Sequence, residues 1–130
     1  MAKVLLVEDE ELLIRMYRTK LELENFEVDI AQDGEKGLAK IREFKPDLVL
    51  LDIVLPKLNG IEVLKRIRAE PELKEIPVVI LTNASIGDSV KECLEAGALG
   101  YIIKSDSTPE QLVQQIRTFL VLSEVRYGGT

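Results

Sequence analysis

The chain alternates short apolar runs with longer amphipathic segments. Five apolar runs, mostly β-branched or leucine-rich, predict β-strands at residues 3–7, 28–31, 48–51, 78–81 and 101–103. Between and after these runs, apolar residues recur at the spacing of an α-helix that buries one face. The pattern therefore predicts five strands and five helices in the order βαβαβαβαβα.

Several helix ends are also marked in the sequence. The segment 108–111, Thr-Pro-Glu-Gln, has the form of a capping box with Pro at the first helical position, so it predicts the start of the last helix. The Ala96-Gly97 pair predicts the end of the fourth helix. Asn25 is expected to adopt the left-handed conformation that closes the first helix.

The order of elements indicates the fold class. Continuous apolar strands joined by helical crossovers predict a parallel sheet that is covered by helices on both faces. For five strands this favours a flavodoxin-like (βα)5 doubly wound α/β fold with strand order 2-1-3-4-5. Ligands of such folds bind beyond the carboxyl ends of the strands, near the point where the strand order reverses. Candidate functional residues are therefore sought directly after each strand.

Functional side chains occur at four of the predicted strand ends. Strand 1 is followed by Glu8 and Asp9, strand 3 by Asp52, strand 4 by Thr82 and strand 5 by Lys104. Because strands 1 and 3 are predicted neighbours, the three carboxylates would lie close together. Like charges at such a distance repel unless a cation binds among them or a proton is shared. Oxygen ligands without His or Cys suit a hard divalent ion such as Mg²⁺.

Asp52 is the least ordinary of these residues, because a carboxylate at the end of a buried apolar run is costly unless it is paired or bound to a metal. A carboxylate with a metal, an ammonium and a hydroxyl around it is arranged for phosphoryl transfer, in which it attacks in line. Taken singly, the acidic residues after strand 1 also suit a helix N-terminus, and a Thr or Lys at a strand end is common. The combination predicts the site.

Composition limits the other classes of function. The 130 residues are 46% hydrophobic and 31% charged, which is typical of one globular domain with its own core. The net charge of −6 argues against a nucleic-acid or anionic membrane surface. The single cysteine, Cys93, rules out an intrachain disulfide, and a cytoplasmic location is expected. The absence of histidine excludes His-dependent triads and His-ligated zinc.

Taken together, the motifs resemble those of the receiver domain of two-component response regulators, over essentially the whole chain. That family has an acidic pair after strand 1, an acceptor Asp followed by Pro at +4 and Gly at +8, a Ser/Thr ending strand 4, and a strand-5 aromatic with Lys three residues later. The matching residues, in register, are Glu8, Asp9, Asp52, Pro56, Gly60, Thr82, Tyr101 and Lys104.

The resemblance implies a role for each matching residue. Asp52 would be the acceptor, modified to 4-aspartylphosphate by a histidine kinase or a histidine phosphotransfer protein. Lys104 would hold the phosphoryl group, while Thr82 and Tyr101 would form the switch. The metal ligands of Mg²⁺ would be Glu8, directly or through water, together with Asp9, Asp52 and the backbone carbonyl of Val54.

The resemblance also implies the organisation and partners of the chain. Residues 1–130 would form a single receiver domain. Receiver domains commonly precede an output domain, and none is expected in this chain, which would be either a stand-alone regulator or a fragment of a longer protein. It would catalyse only its own phosphorylation and dephosphorylation and would therefore not be an enzyme with a separate substrate. The phosphorylated face would bind a downstream protein target or a second copy of the chain in a phosphorylation-dependent dimer. No nucleic acid and no membrane would be bound.

Two residues depart from the family pattern. Ser105 stands where Pro usually follows the Lys, often through a cis peptide bond. Since a cis bond without Pro costs about 2.5–4 kcal/mol, the Lys104–Ser105 bond is expected to be either trans within a reshaped loop or strained. Asn83 stands where the family usually has a smaller residue, and it would narrow access to the acceptor.

Three other functions fit parts of the sequence. A receiver-like contact module could work without phosphorylation. A phosphatase with an Asp nucleophile would resemble Asp-x-Asp at residues 52–54, but Val54 replaces the second Asp and the chain has no room for a cap. A flavodoxin-like FMN carrier would have a Ser/Thr/Gly phosphate cradle after strand 1, where this chain is acidic.

The first helix carries more apolar residues than one buried stripe needs. Five of its residues between positions 12 and 17 are apolar, and successive helical residues lie about 100° apart. We expect the surplus, Leu13 or Ile14, to flank the acidic site and contact the phosphodonor, unless it is one of the scattered exposed aliphatics common on protein surfaces. The run 119–122, Phe-Leu-Val-Leu, poses the same question for an output or dimer face.

Overall fold

The computed structural model describes residues 1–83 and 88–128, and its five strands form one parallel sheet. The strand order is β2-β1-β3-β4-β5, which confirms the predicted flavodoxin-like topology. The strands are β1 Lys3–Val7, β2 Glu27–Ala31, β3 Leu48–Asp52, β4 Val78–Thr82 and β5 Gly100–Ile103. β3 and β4 each continue one residue further than predicted, so Asp52 and Thr82 are the last residues of strands.

Five α-helices connect and follow the strands within the described residues, and two short helical turns flank the last of them. The helices are α1 Glu11–Leu23, α2 Gly34–Phe44, α3 Gly60–Ala69, α4 Asp88–Glu95 and α5 Pro109–Ser123. A 3-10 turn, Lys104–Asp106, precedes α5, and a π-helical turn, Glu124–Gly128, follows it. Within the described residues, no helix combines the length and the apolar character needed to cross a membrane.

The sheet separates two hydrophobic cores, because successive side chains of a strand point to opposite faces. In β1, Val4 and Leu6 pack into the core shared with α1 and α5, and Leu5 and Val7 pack into the core shared with α2, α3 and α4. All four side chains are fully buried. A strand that is buried on both faces has to be apolar at every position, which explains the unbroken apolar runs of the sequence.

The helix ends predicted from the sequence are present. The Thr108 hydroxyl accepts a hydrogen bond from the Gln111 backbone N–H at 3.1 Å, and the Gln111 side chain accepts one from the Thr108 backbone N–H at 3.0 Å. Asn25 and Gly97 adopt positive φ angles of 69° and 107° after α1 and α4. Local chemistry therefore determines where these helices begin and end.

The outward face of α1 differs from the expectation. The buried stripe of the helix is formed by Ile14, Tyr17 and Leu21. Leu13 packs partly against the same core, whereas Leu12 is 70% exposed and Met16 is 41% exposed. The expectation that Ile14 belongs to the exposed surplus is wrong. Positions 12 and 16 lie two residues from position 14, about 200° around the helix, and therefore face solvent.

The apolar end of α5 follows the same rule. Phe119 and Leu120 pack partly against the core, while Val121 and Leu122 are exposed. The exposed pair leaves an apolar surface near the carboxyl end of α5. That this surface contacts an output partner or a second copy of the chain remains a prediction.

Arg68, in the last turn of α3, joins four segments of the chain. Its Nε and Nη2 groups donate to the Gly97 carbonyl at 3.3 and 2.8 Å, and Nη1 donates to the carbonyls of Lys74 and Ile76 at 3.0 and 2.8 Å. Nη2 also donates to the Tyr127 hydroxyl at 3.5 Å. All five N–H groups of the guanidinium are thus used. Because no carboxylate pairs with Arg68 among the described residues, burial lowers its pKa.

The hydrogen bonds of the Arg68 guanidinium predict that Arg68→Lys lowers the stability of the protein. A lysine ammonium cannot reach three carbonyls in the fixed fork geometry of a guanidinium. We expect the free energy of unfolding, measured by urea denaturation at pH 7, to fall by about 2 kcal/mol. The control is Arg66→Lys on the exposed face of the same helix, which should change the free energy by less than about 0.5 kcal/mol. Equal losses in both variants would contradict the assigned role of Arg68.

Candidate functional site

Three buried charged side chains meet at the carboxyl end of the sheet. Lys104 Nζ lies 2.6 Å from Glu8 Oε1 and 2.9 Å from Asp52 Oδ2. The side chains are only 6%, 1% and 9% exposed, respectively. Glu8 follows β1 and Asp52 ends β3, which are neighbours, whereas Lys104 follows β5 and has to extend past β4 to reach them. The topology thus places a four-carbon lysine side chain between two carboxylates.

Glu8 is held by several interactions in this triad. Its Oε2 atom accepts a hydrogen bond from the Glu10 backbone N–H at 3.0 Å. Its Oε1 atom is buried and forms the ion pair with Lys104, but receives no well-oriented hydrogen bond within the described part of the chain. Burial raises the pKa of Glu8 above its usual range, against the lowering effect of Lys104 and of the Glu10 N–H; the nearby charge of Asp52 raises it further.

The pKa of Lys104 is also raised, which for an ammonium favours the charged form. Burial by itself lowers the pKa of its ammonium, but the close contacts with the negative carboxylates of Glu8 and Asp52 outweigh burial, and the net pKa is raised. Lys104 is therefore positively charged at neutral pH. With both carboxylates ionised, the triad carries one excess negative charge.

A third carboxylate completes a set of oxygen ligands for a cation. Asp9 is exposed, and ligand oxygens of Glu8, Asp9 and Asp52 all lie within 4.8 Å of one another. A cluster of oxygens without nitrogen or sulfur ligands suits Mg²⁺ or a similar hard divalent ion. The Glu8 Oε1 atom without a hydrogen bond can accept a further positive partner. The residues present therefore fit a divalent cation.

Val54, the fourth predicted ligand, lies in the loop between β3 and α3. Its backbone N–H donates to Asp52 Oδ1 at 3.3 Å, and its side chain is exposed. The backbone of Val54 is therefore next to the predicted acceptor carboxylate. Coordination of a metal by its carbonyl stays a prediction.

The contacts at position 60 explain why the predicted acceptor motif, Asp52 with Pro at +4 and Gly at +8, ends in glycine. The Gly60 N–H donates to the Ile53 carbonyl at 2.8 Å, so the start of α3 closes back onto the end of β3. A Cβ atom at position 60 would overlap the Asp52 carbonyl oxygen and lie 2.8 Å from Ile53 Cα. The loop can therefore return beside Asp52 only if residue 60 has no side chain. The Asn59 side chain caps α3 by accepting from the Glu62 N–H at 3.0 Å.

The two residues predicted to form the switch lie on β4 and β5. Thr82 is buried and its hydroxyl donates to the Asn83 carbonyl at 3.2 Å. It follows Leu81, the residue that pairs with Asp52 across the sheet. Tyr101 is exposed and lines a shallow groove with Gln114 and Phe119 of α5. Thr82 thus lies one residue beyond the β4 partner of Asp52, and the side chain of Tyr101 is exposed.

The departure at Ser105 is accommodated without a cis bond. Every peptide bond in the described residues is trans, including Lys104–Ser105. Residues Lys104–Asp106 form a single 3-10 turn before α5. Of the two alternatives considered for this bond, the structure has the trans form. Asn83 is exposed, and its effect on access to Asp52 stays a prediction.

Comparison with known proteins agrees with the fold and with the family that the sequence resembles. Residues 4–117 match the family described as the response regulator receiver domain. The chain therefore belongs to the receiver domain family of two-component response regulators. It is similar to the phosphate regulon transcriptional regulatory protein PhoB of Rhizobium meliloti, with 38% identity over 91% of this chain and 52% of PhoB. It is also similar to the polar-differentiation response regulator DivK of Brucella anthropi, with 33% identity over 90% of this chain and 94% of DivK.

Solved structures show the same similarity. The chemotaxis response regulator CheY4 of Vibrio cholerae superimposes with a TM-score of 0.84 at 30% identity, over 92% of this chain and 98% of CheY4. The chain spans about half the length of PhoB and of the response regulator ArlR of Staphylococcus saprophyticus, at 52% and 53%. The similarity to these longer proteins therefore concerns their receiver domains.

The raised pKa of Glu8 predicts how the metal-free protein responds to pH. A carboxylate whose pKa is raised by folding holds its proton more tightly in the folded state, so its ionisation lowers stability as pH rises above its usual value of 4.5. Glu8→Gln removes the excess negative charge of the triad. We therefore expect this variant to melt at a higher temperature than the wild type at pH 7 in EDTA, with the difference shrinking toward pH 4.5.

The control for this experiment is Glu43→Gln on the exposed surface of α2. It should show no pH-dependent difference from the wild type in the same thermal melts. A lower melting temperature for Glu8→Gln at pH 7 would mean that the attraction of Lys104 exceeds the cost of burying Glu8.

Proposed function

We propose that the chain is a phosphoacceptor switch, in which Asp52 takes a phosphoryl group from a phosphohistidine of a histidine kinase or a histidine phosphotransfer protein. The observation that carries the proposal is the Lys104 ammonium, 2.9 Å from the Asp52 carboxylate and 2.6 Å from Glu8, beside the oxygens of Asp9. A nucleophilic carboxylate is thus surrounded by positions for two cations. This arrangement suits transfer of a phosphoryl group, which requires charge neutralisation more than covalent assistance.

The reaction follows from the charges in the site. The Asp52 carboxylate attacks phosphorus in line, its new P–O bond forms as the P–N bond of the phosphohistidine breaks, and the imidazole nitrogen leaves with the electron pair. Glu8, Asp9, Asp52 and the Val54 carbonyl would hold Mg²⁺. When bound, Mg²⁺ supplies positive charge that neutralises the phosphoryl oxygens. Lys104, already charged and next to Asp52, neutralises a further phosphoryl oxygen.

Hydrolysis of the phosphorylated Asp52 resets the switch. The protein therefore acts on its own acceptor and has no separate substrate that it turns over. We propose that the chain is a single receiver domain that works in the cytoplasm, without binding nucleic acid or membrane. Steady turnover of p-nitrophenyl phosphate would instead identify an Asp-nucleophile phosphatase.

The output of the switch involves Thr82 and Tyr101. The Thr82 hydroxyl now donates to the Asn83 carbonyl, and we propose that it turns to donate to a phosphoryl oxygen on Asp52. Tyr101, exposed beside α5, would move inward into the space that Thr82 leaves. This local change would alter the surface formed by β4, α4, β5 and α5, which a downstream protein or a second copy of the chain would bind.

The acceptor assignment predicts the result of chemical phosphorylation. Incubation with acetyl phosphate and Mg²⁺ should add one phosphoryl group, detectable by intact mass and removed by hydroxylamine. Asp52→Asn should abolish the addition because the amide of asparagine, unlike a carboxylate, is not a nucleophile. The matched control is Asp33→Asn, the same change at another buried Asp. Asp33 caps α2, and asparagine caps a helix equally well, so this variant should fold normally. Undiminished labelling of the Asp52 variant would contradict the assignment, and EDTA should prevent labelling of the wild type.

If the wild type is not labelled, the chain would be a receiver-like contact module that works without phosphorylation. Wild type and Asp52→Asn would then bind a partner protein with the same affinity.

We further propose that the phosphodonor contacts the outward face of α1. The exposed residues Leu12 and Met16 lie on the helix that begins directly after the acidic pair. Met16 also lines an apolar groove with Leu23 and Pro109. An exposed apolar surface next to a charged site is suited to a protein partner that has to bring its phosphohistidine to Asp52.

This surface predicts a selective effect of Leu12→Arg. The variant should lose at least about tenfold in the rate of transfer from a phosphohistidine protein, the scale of a contact worth about 1.4 kcal/mol. Labelling by acetyl phosphate and the melting temperature should be unchanged, because Leu12 is outside the core. Val121→Arg, an equally polar change at an exposed position of α5, should affect neither reaction. Normal transfer to Leu12→Arg would exclude this face of α1.

A further inference from the structure

The loop between β3 and α3 contains a strained turn. The Leu58 N–H donates to the Pro56 carbonyl at 2.7 Å, two residues back, and Lys57 between them has a φ of +67°. A hydrogen bond of this span around a positive φ is typical of the rarer and more strained form of γ-turn. Lys57 is not glycine and its side chain is exposed, so its side chain packs against no core that would favour this conformation. Other contacts have to hold the turn.

The first residue of α2 supplies such a contact. The Gly34 N–H donates to the Pro56 carbonyl at 3.3 Å, so that this carbonyl accepts from both Gly34 and Leu58. The first N–H groups of a helix have no partner within the helix, and the Pro56 carbonyl satisfies one of them. On the other side, Leu58 packs partly against the core formed with α2 and α3. The turn is therefore enclosed between the core and the N-terminus of α2.

Gly34 is required at this place for space and not for backbone freedom. Its φ is not positive, so other residues could adopt its conformation. A Cβ atom at position 34, however, would overlap the Leu58 carbonyl oxygen and lie 2.8 Å from Leu58 Cβ. Both atoms belong to Leu58, which cannot move away without shifting the loop or the helix. The absence of a side chain at position 34 thus permits the close approach of α2 to the turn.

The same loop carries the backbone of Val54, which donates to Asp52 and is the predicted source of a carbonyl ligand. The loop is attached at its base, where the Gly60 N–H meets the Ile53 carbonyl, and at its tip, where the Gly34 N–H meets the Pro56 carbonyl. Strained backbone persists where the surrounding structure holds it, and it occurs often beside functional sites. The position of the Val54 carbonyl relative to Asp52 therefore depends on both attachments.

We propose that Gly34 is a positioning residue of the acceptor site: the N-terminus of α2 braces the strained turn at Lys57 and so fixes the Val54 carbonyl for a divalent cation. The proposal rests on the proposed function of Asp52 and extends it to a helix that contributes no ligand. It assigns to α2 a part in metal binding.

The test compares Gly34→Ala with Gly37→Ala, which adds the same methyl group one turn later in the same helix. At position 37 the new Cβ would lie 3.1 and 3.3 Å from the two methyl groups of Val7, in the core and away from the loop. Mg²⁺ binding is measured by calorimetric titration, together with the melting temperature and the rate of labelling by acetyl phosphate. We expect Gly34→Ala to weaken Mg²⁺ binding about tenfold, as loss of outer contacts to a ligand does, and Gly37→Ala to leave it unchanged. Equal Mg²⁺ affinities would overturn the proposal.

A second variant separates bracing from a general shift of α2. With Lys57→Gly the turn is no longer strained, because glycine adopts a positive φ without penalty. The double variant Gly34→Ala/Lys57→Gly should therefore recover part of the Mg²⁺ affinity lost in Gly34→Ala. A double variant that recovers none would show that the loss does not come from the turn, and the bracing role would be rejected.

If Gly34→Ala does not fold, the Lys57→Gly variant alone tests the proposal. It should bind Mg²⁺ at least as tightly as the wild type and slow hydrogen exchange at the Leu58 amide; weaker Mg²⁺ binding would overturn the proposal. Because Mg²⁺ titration needs no phosphorylation, failure of this proposal is distinguishable from failure of labelling at Asp52.

Discussion

The contact on which the site depends is the buried ion triad of Lys104 with Glu8 and Asp52. Removing a carboxylate from water costs several kcal/mol, so a carboxylate at the buried end of β3 needs a partner of opposite charge. Lys104 compensates two carboxylates at once, at 2.6 and 2.9 Å, and is itself kept charged by them. Lys104 attracts both carboxylates, whereas the charge of Asp52 raises the pKa of Glu8 and so opposes its ionisation. The remaining excess negative charge makes the site attractive to a cation.

The half-buried side chain of Arg68 shows how the site differs from a cation that only stabilises the fold. Arg68 is surrounded by backbone carbonyls and has no carboxylate partner among the described residues, so its pKa is lowered, while that of Lys104 is raised. Carbonyls at the end of a helix and in a tight turn cannot exchange their partner without unfolding locally. The carboxylates around Lys104 can exchange theirs, since a phosphoryl group or a metal ion can take the place of one ion pair. The first arrangement stabilises the fold, and the second leaves the site free to react.

Close backbone contacts at glycine determine the shape of the acceptor loop. At Gly60 the start of α3 meets the Asp52 carbonyl, and at Gly34 the start of α2 meets the Leu58 carbonyl. Both contacts place the N-terminus of a helix against the chain that surrounds Asp52. The Asp52 carboxylate thus lies at the end of β3, while the loop beside it is held by two helices that provide none of the three clustered carboxylates. Rigid surroundings of this kind keep ligand atoms at the distances that a small divalent ion requires.

Much of this molecule was predictable from the sequence, because periodicity, turn chemistry and the fold rules for parallel sheets act locally or generally. The apolar runs and the spacing between them determined five strands, five helices and the order 2-1-3-4-5. The capping box at Thr108 and the left-handed Asn25 depend on neighbouring residues only. The convergence of Glu8, Asp52 and Lys104 follows from strand order and could be inferred before any distance was known.

Only the tertiary structure decided which side of each element faces the core and which backbones touch. The apolar positions of α1 allow more than one buried stripe, and packing against the sheet selected the stripe through Ile14, leaving Leu12 exposed. The Lys104–Ser105 bond is trans, as the cost of a cis bond without Pro predicts, but the 3-10 turn at Lys104–Asp106 that shapes the loop is seen only in the structure. Gly34 reads in the sequence as an ordinary helix start, since its reason for being glycine is the Leu58 carbonyl in a different loop. Contacts between distant segments depend on the final position of whole helices, and a one-dimensional pattern does not contain that position.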